Sequence, residues 1–179
     1  MENTKEKLEE AQYFLLQMKS DMLNYSKFKF NLSAFLSASR SVTFVMQKEM
    51  SGNSLFAEWY KKEQDKMSND ELLHYFNSLR TITIHEKTVR PRKEVHISHK
   101  DSLTMNDTIT MFIVHADGLS DIKQVKDLDK PISKDESNDS EVKHLWYFED
   151  NNDNDLITLC EKYVKKLVDL VDDFKTVTQ

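Results

Sequence analysis

Apolar residues recur at alternating spacings of three and four over two parts of the chain, and this period is that of an amphipathic α-helix. The stripes predict two long helices, a short third helix, a fourth, and a closing helix of about five turns. Helices with one apolar face pack those faces together, so a bundle is predicted. The stripe positions are Leu8, Ala11, Leu15, Met18, Met22 and Tyr25; Phe28, Leu32, Phe35, Ser39, Val42 and Met46; Leu55, Phe56, Trp59 and Tyr60; Leu72, Phe76 and Leu79; and Leu156, Cys160, Tyr163, Leu167, Val171 and Phe174.

Short polar motifs predict where these helices begin. Asn3 and Ser68 each have a glutamate three residues later, which is the capping-box pattern, and Ser54 can cap the third helix. Residues 81–84 are β-branched throughout, which lowers helix propensity. The fourth helix is therefore predicted to end near His85.

After the fourth helix the period changes from that of a helix to that of a strand. Val95 and Ile97 alternate with polar residues, residues 108–114 form an apolar run, and residues 145–148 supply another. These segments predict a small antiparallel β-rich insertion before the closing helix. The fold class is mainly α, with four longer helices and a short one.

One domain is expected, because 179 residues with 39% hydrophobic content can fill one core. This single domain is predicted to span residues 1–179. It consists of a helical bundle at 3–86 and 155–176 and the β-rich insertion at about 91–148.

Composition argues against several kinds of site. Only two glycines occur, so the sequence contains no Gly-rich phosphate-binding loop. Cys160 is the single cysteine and lies in an apolar stripe, so we expect a buried thiol. His96 and His99, three residues apart on a predicted strand, point to opposite faces. We expect no metal and no cofactor.

The first residues lack the charged-then-apolar layout of a signal peptide, and no apolar run approaches the roughly 20 residues of a spanning helix. No membrane contact is expected, and the cytoplasm is the simplest location. The net charge of −6 is uneven, with +4 over residues 80–100 and −7 over residues 116–155. An extended nucleic-acid surface is not expected, whereas the local positive charge leaves a phosphate contact beside His85 open.

Arg80 and His85, with four residues between them, are the candidate catalytic pair. A guanidinium can hold a phosphate, and an imidazole can move a proton on a ribose hydroxyl without a metal. On one continuous helix the two side chains would lie about 140° apart. The helix must then end or distort, or the two residues must meet at a shared interface. Similar Arg–His spacings occur at Arg90 and at Arg92, but not after a capped helix.

Other polar residues are candidates for binding the substrate: Arg40, Asn77, Ser78, Lys87 and Arg90. Alternative readings remain open. Arg40 can form an interhelical ion pair, because a charge close to buried positions needs a partner. Arg80 can pair with a nearby carboxylate such as Glu86.

The order of two long helices, a short one and a helix ending in Arg-x4-His resembles the HEPN superfamily (higher eukaryotes and prokaryotes nucleotide-binding). The segments Phe35-Leu-Ser-Ala-Ser-Arg40-Ser-Val-Thr and Phe76-Asn-Ser-Leu-Arg-Thr-Ile-Thr-Ile-His85 are similar to uncharacterised bacterial members. The resemblance covers residues 5–86 and extends to the last helix. Two features depart from the family pattern: Ile84 stands where active members often have an aromatic residue, and the β-rich insertion is additional.

The resemblance implies an RNA-binding homodimer that acts as a metal-independent endoribonuclease of toxin or defence type, with both copies of the motif lining one cleft. His85 would be the general acid and base and Arg80 would hold the phosphate, leaving a cyclic phosphate. An antitoxin or a nucleotidyltransferase would be a partner protein. The alternative is a noncatalytic helical module that binds a protein partner, since the family includes members without catalysis.

Overall fold

Five α-helices and four β-strands occupy the described residues of the computed structural model, which are 1–85, 89–99, 109–114, 120–125, 140–151 and 153–177. The chain divides into two compact units, Met1–Val89 with Asn154–Gln179, and Arg90–Asp153. The first unit contains the helices and the second contains the strands. That the whole chain is one domain stays a prediction.

The helices are α1 (Glu2–Ser20), α2 (Tyr25–Glu49), α3 (Ser54–Ser68), α4 (Glu71–His85) and α5 (Leu156–Val177). They confirm the mainly helical fold class. The prediction of a short third helix is wrong, because α3 has 15 residues. Its charged stretch at 61–66 continues the helix, since Lys, Glu and Gln are good helix formers and an ion pair joins Lys66 to Glu63 at 2.6 Å. Within the described residues, no helix has both the length and the apolar character to cross a membrane.

The predicted apolar stripes of α2 and α5 are buried along their whole length. Aromatic rings join the helices at the centre. Phe76 stacks on Tyr163 with ring centroids 4.2 Å apart, and Phe35 meets both edge-on at 6.3 and 6.4 Å. Each such pair adds about 0.5–1.5 kcal/mol beyond the area that it buries. These contacts hold α4 beside α2.

The helix caps differ from the predicted ones. Asn3 lies inside α1, and the carboxylate of Glu49, at the end of α2, accepts hydrogen bonds from the amides of Asn3 and Thr4 at 3.2 and 3.0 Å. Asn53 and Asp70 cap α3 and α4 in place of Ser54 and Ser68, accepting from the amides three residues later at 3.0 Å. Asn and Asp cap as well as Ser does, so local sequence cannot choose between neighbours.

The strands of the second unit form two antiparallel pairs. β1 (Arg92–His99) pairs with β4 (Ser140–Tyr147), and β2 (Ile109–Val114) pairs with β3 (Ser120–Val125). The predicted small antiparallel structure before the closing helix is confirmed.

Candidate functional site

Two arginines from different helices lie against one exposed aromatic ring. Arg40 and Phe44 are one turn apart on α2, and Arg80 comes from α4. The guanidinium carbon of Arg40 is 4.2 Å from the centroid of the Phe44 ring, and that of Arg80 is 6.0 Å away. Both distances are within the range of a cation–π contact. Because 48% of Phe44 is exposed, this Arg–Phe–Arg cluster is open to a ligand.

Within the described residues, no acidic side chain neutralises the positive charges of the cluster. Within the described residues, neither Arg40 nor Arg80 has a carboxylate at ion-pair distance, and Glu86 lies outside those residues. The interhelical ion pair considered for Arg40 is therefore not found there. Its Nη1 donates to the Thr43 hydroxyl at 3.0 Å, and its Nε is buried without an acceptor in the described part of the chain.

A pocket of about 300 Å³ opens beside Arg40, within the helical unit. Its inner wall includes Tyr163 and Leu167 of α5, both buried. Polar side chains from the other helices face it, and no carboxylate is among its described lining residues. These polar side chains include Arg40, Gln47, Tyr60, Gln64, His74 and Asn77.

Two tyrosine hydroxyls lie near the Arg40 charge. Burial raises the pKa of Tyr163 to about 12, although the charge of Arg40 opposes the shift. Burial likewise raises the pKa of Tyr60, against the effects of a hydrogen bond with Thr43 and of Arg40. Both hydroxyls therefore stay neutral at physiological pH. Neither supplies a negative charge that could balance Arg40.

Arg80 and His85 lie on one uninterrupted helix. The backbone of α4 is helical from Glu71 through His85, so the helix does not end between the two residues. Residues 86–88 lie outside the described residues, so the predicted helix end near His85 stays a prediction. The two positions are about 140° apart around the axis. From sequence, Arg80 and His85 could come together if the helix ended or distorted between them, or if they met at a shared interface. Because α4 is helical across both residues, the shared interface is the option that remains.

The other candidate residues do not lie together at one site. Asn77 faces the pocket with Arg40. The Ser78 hydroxyl donates to the main-chain carbonyl of His74 at 3.1 Å, which is a local helix contact. Arg90 is exposed and belongs to the strand-containing unit, and Lys87 lies outside the described residues.

Sequence reasoning missed Phe44 and His74. Phe44 lies off the apolar stripe of α2 and four residues after an arginine, and this pattern could have marked it as an exposed ring paired with a cation. His74 precedes Asn77 by three residues, so both lie on one face of α4. No group of three or more His, Cys, Asp or Glu side chains in the described parts of the chain could hold a metal ion. Cys160 is fully buried, as predicted, and burial raises the pKa of its thiol well above the ordinary value.

Fold and site together define a helical bundle with a local cationic and aromatic surface. Residues 1–86 match the family described as bacteriophage lambda protein ea47. The matched part is just under half of the chain and includes α1 to α4, hence Arg40, Phe44 and Arg80. No curated protein and no solved structure matches this chain. The family name states a phage protein and no activity, so it bears neither on the HEPN resemblance nor on catalysis.

Proposed function

We propose that this protein binds single-stranded RNA at the Arg–Phe–Arg cluster. The observation that carries the proposal is that Arg40 and Arg80 both lie against the half-exposed ring of Phe44 without a carboxylate partner in the described residues. Single-stranded nucleic acids are held by this combination, in which an aromatic ring stacks on a base and cations contact the backbone. The cluster is small, which fits a chain whose net charge is −6.

Substitution of the ring tests RNA binding. Phe44→Leu keeps an apolar side chain but removes the stacking face, and Arg80→Ala removes a phosphate contact. We expect each to lower the affinity for a fluorescent single-stranded RNA roughly 5- to 100-fold, which corresponds to the worth of one stacked base. Fluorescence anisotropy measures the affinity.

Phe30→Leu is the matched control for the stacking test. Phe30 also lies on α2 and is 68% exposed, but it is 14 residues before Phe44 and outside the cluster. Equal affinities for wild type, Phe44→Leu and Phe30→Leu would rule out binding by stacking on this ring.

Cleavage of the bound RNA is the finer part of the proposal and rests on the HEPN resemblance. His85 would take the proton of a ribose 2′-hydroxyl, and the oxygen would attack phosphorus. The bond from phosphorus to the 5′-oxygen would then break as protonated His85 gives a proton to that oxygen. The products are a 2′,3′-cyclic phosphate and a 5′-hydroxyl, and Arg80 would balance the phosphate charge. Because α4 is continuous, this mechanism needs a homodimer that brings Arg80 and His85 of different copies together.

Cleavage is tested in a chelator with structured and unstructured RNA. We expect products with wild type, and a loss of at least about 100-fold with His85→Ala, the usual size of a general acid–base effect. His96→Ala, an exposed histidine of the strand-containing unit, is the control. Products that persist in His85→Ala, or their absence with wild type, would refute the catalytic part and leave RNA binding to its own test.

A second candidate function is a noncatalytic module for a protein partner such as an antitoxin or a nucleotidyltransferase. The observation that favours it is a set of large apolar side chains exposed by more than half on α1, on α2 and in the turn between them: Tyr13, Leu16, Leu23 and Phe30. Undiminished RNA affinity in Phe44→Leu and Arg80→Ala would favour this candidate. Either function would place the protein in the cytoplasm.

A further inference from the structure

The pocket beside Arg40 has the chemistry of an anion site. Arg40 supplies a permanent positive charge and a buried Nε–H without an acceptor in the described residues. An unmet buried donor is costly, so an acceptor that reaches the guanidinium is favoured. The described lining residues bring no carboxylate that would repel an anion.

Neutral donors surround this charge. The amides of Gln47, Gln64 and Asn77 and the imidazole of His74 face the same pocket. Amide and imidazole N–H groups around one guanidinium suit a ligand with several oxygen acceptors on one atom. A phosphate monoester has three such terminal oxygens, whereas an internal phosphodiester has two.

The shape of the pocket limits how a strand can enter. Its volume of about 300 Å³ is at the small end of ligand pockets. Tyr163 and Leu167, which line it, are both buried, so we expect the pocket to take the end of a strand and not a continuous strand.

Arg40 belongs both to the pocket and to the Arg–Phe–Arg cluster, because its guanidinium carbon is 4.2 Å from the Phe44 ring centroid. We infer that the pocket takes the terminal phosphate monoester of an RNA strand while a neighbouring base stacks on Phe44. This inference rests on the proposed RNA binding and specifies its substrate: strands with a phosphorylated end.

Three oligonucleotides of one sequence test the inference, with a 5′-phosphate, with a 3′-phosphate, or with hydroxyls at both ends. We expect wild type to bind one of the phosphorylated strands about tenfold more tightly than the hydroxyl strand, as gained hydrogen bonds to a charged group would give. The two phosphorylated strands tell which end enters the pocket.

Pocket variants locate the preference. Asn77→Ala and Gln64→Ala are expected to remove the preference. Gln64→Ala, which is not among the substrate-binding candidates, is expected to leave the affinity for the hydroxyl strand unchanged. Both positions are exposed and helical, so alanine preserves the helix. Thr81→Ala, exposed on α4 and not among the residues that line the pocket, is the control. Equal binding of all three strands, or a preference that survives both pocket variants, would overturn the inference.

Ribose 5-phosphate separates this inference from the proposed function. It carries the monoester without a base, so its binding does not need Phe44. We expect it to raise the melting temperature of wild type and of Phe44→Leu, but not of Asn77→Ala. A shift without RNA binding would refute the proposed function and keep the pocket as a phosphate monoester site. Tight RNA binding without a preference for a phosphorylated end would keep the proposed function and refute the phosphate monoester site.

Discussion

Arg40 combines partial burial, charge and a buried Nε–H without an acceptor in the described residues. Its Nε has no acceptor in the described residues, which costs about 1–3 kcal/mol, and the cation–π contact with Phe44 returns about 0.5–1 kcal/mol. A residue selected for packing alone would not need the charge. We therefore expect Arg40 to add little to the stability of the bundle, which agrees with the proposed role in binding a ligand.

Arg40→Met tests this balance, because methionine keeps the length and helix propensity of arginine and removes the charge. We expect the free energy of unfolding to be unchanged or to rise by about 1–2 kcal/mol, since methionine removes the buried Nε–H that has no acceptor in the described residues. We expect RNA affinity to fall at the same time. Urea unfolding and anisotropy measure the two effects.

Arg40→Lys is the companion variant. It keeps the charge but loses the planar fork that binds two oxygens of one phosphate, so its RNA affinity should lie between those of wild type and Arg40→Met. A loss of stability above about 1 kcal/mol in Arg40→Met would instead assign Arg40 a structural role.

At the scale of elements, the end of α2 stabilises the start of α1. The Glu49 carboxylate accepts hydrogen bonds from two α1 amides and from the Thr4 hydroxyl, across 45 residues of sequence. Burial alone would raise the pKa of Glu49, but the hydrogen bonds from Thr4 and Asn3 outweigh it and lower the pKa from 4.5 to about 2. The unfolded chain thus binds a proton at a higher pH than the folded one.

Acid should therefore weaken the α1–α2 contact. The carboxylate contribution to stability is complete above pH 4.5 and is lost as the pH falls from 4.5 towards 2. Glu49→Gln should cost about 1 kcal/mol at pH 7, the usual worth of a cap, and should flatten the dependence of stability on pH in this window. Urea unfolding from pH 2.5 to 7 measures it.

Glu58→Gln, at an exposed carboxylate of α3, is the control for this pH dependence and should follow wild type. Parallel pH profiles for Glu49→Gln and wild type would show that the Glu49 hydrogen bonds do not contribute to stability.

Features set by local sequence could be predicted, and features set by contacts between distant segments could not. The stripes of α2 and α5 follow from a local period, and every predicted position in them is buried. The cap that Glu49 provides for α1 depends on tertiary packing of α2 against α1. The cap of α3 is Asn53 and not Ser54, a shift of one residue that local sequence does not determine. Arg80 was recognised as a candidate, but its meeting with Arg40 at Phe44 is set by the packing of α4 against α2.

At the scale of the whole molecule, the proposed catalysis depends on the number of copies. Arg80 and His85 are about 140° apart on a continuous helix, so the proposed mechanism needs a second chain. A homodimer has twice the mass of the 21.1 kDa chain, which light scattering after size exclusion can measure. A strict monomer would exclude the shared site.

Mixing two inactive variants tests the shared site directly. In a dimer of one Arg80→Ala chain and one His85→Ala chain, one site combines the intact Arg80 of one copy with the intact His85 of the other. Random mixing makes half of the dimers mixed, and half of their sites complete, so roughly a quarter of wild-type cleavage should return. If both residues of a site came from one chain, every site in the mixture would lack one of them. A mixture that forms mixed dimers but stays inactive would therefore refute the shared cleft.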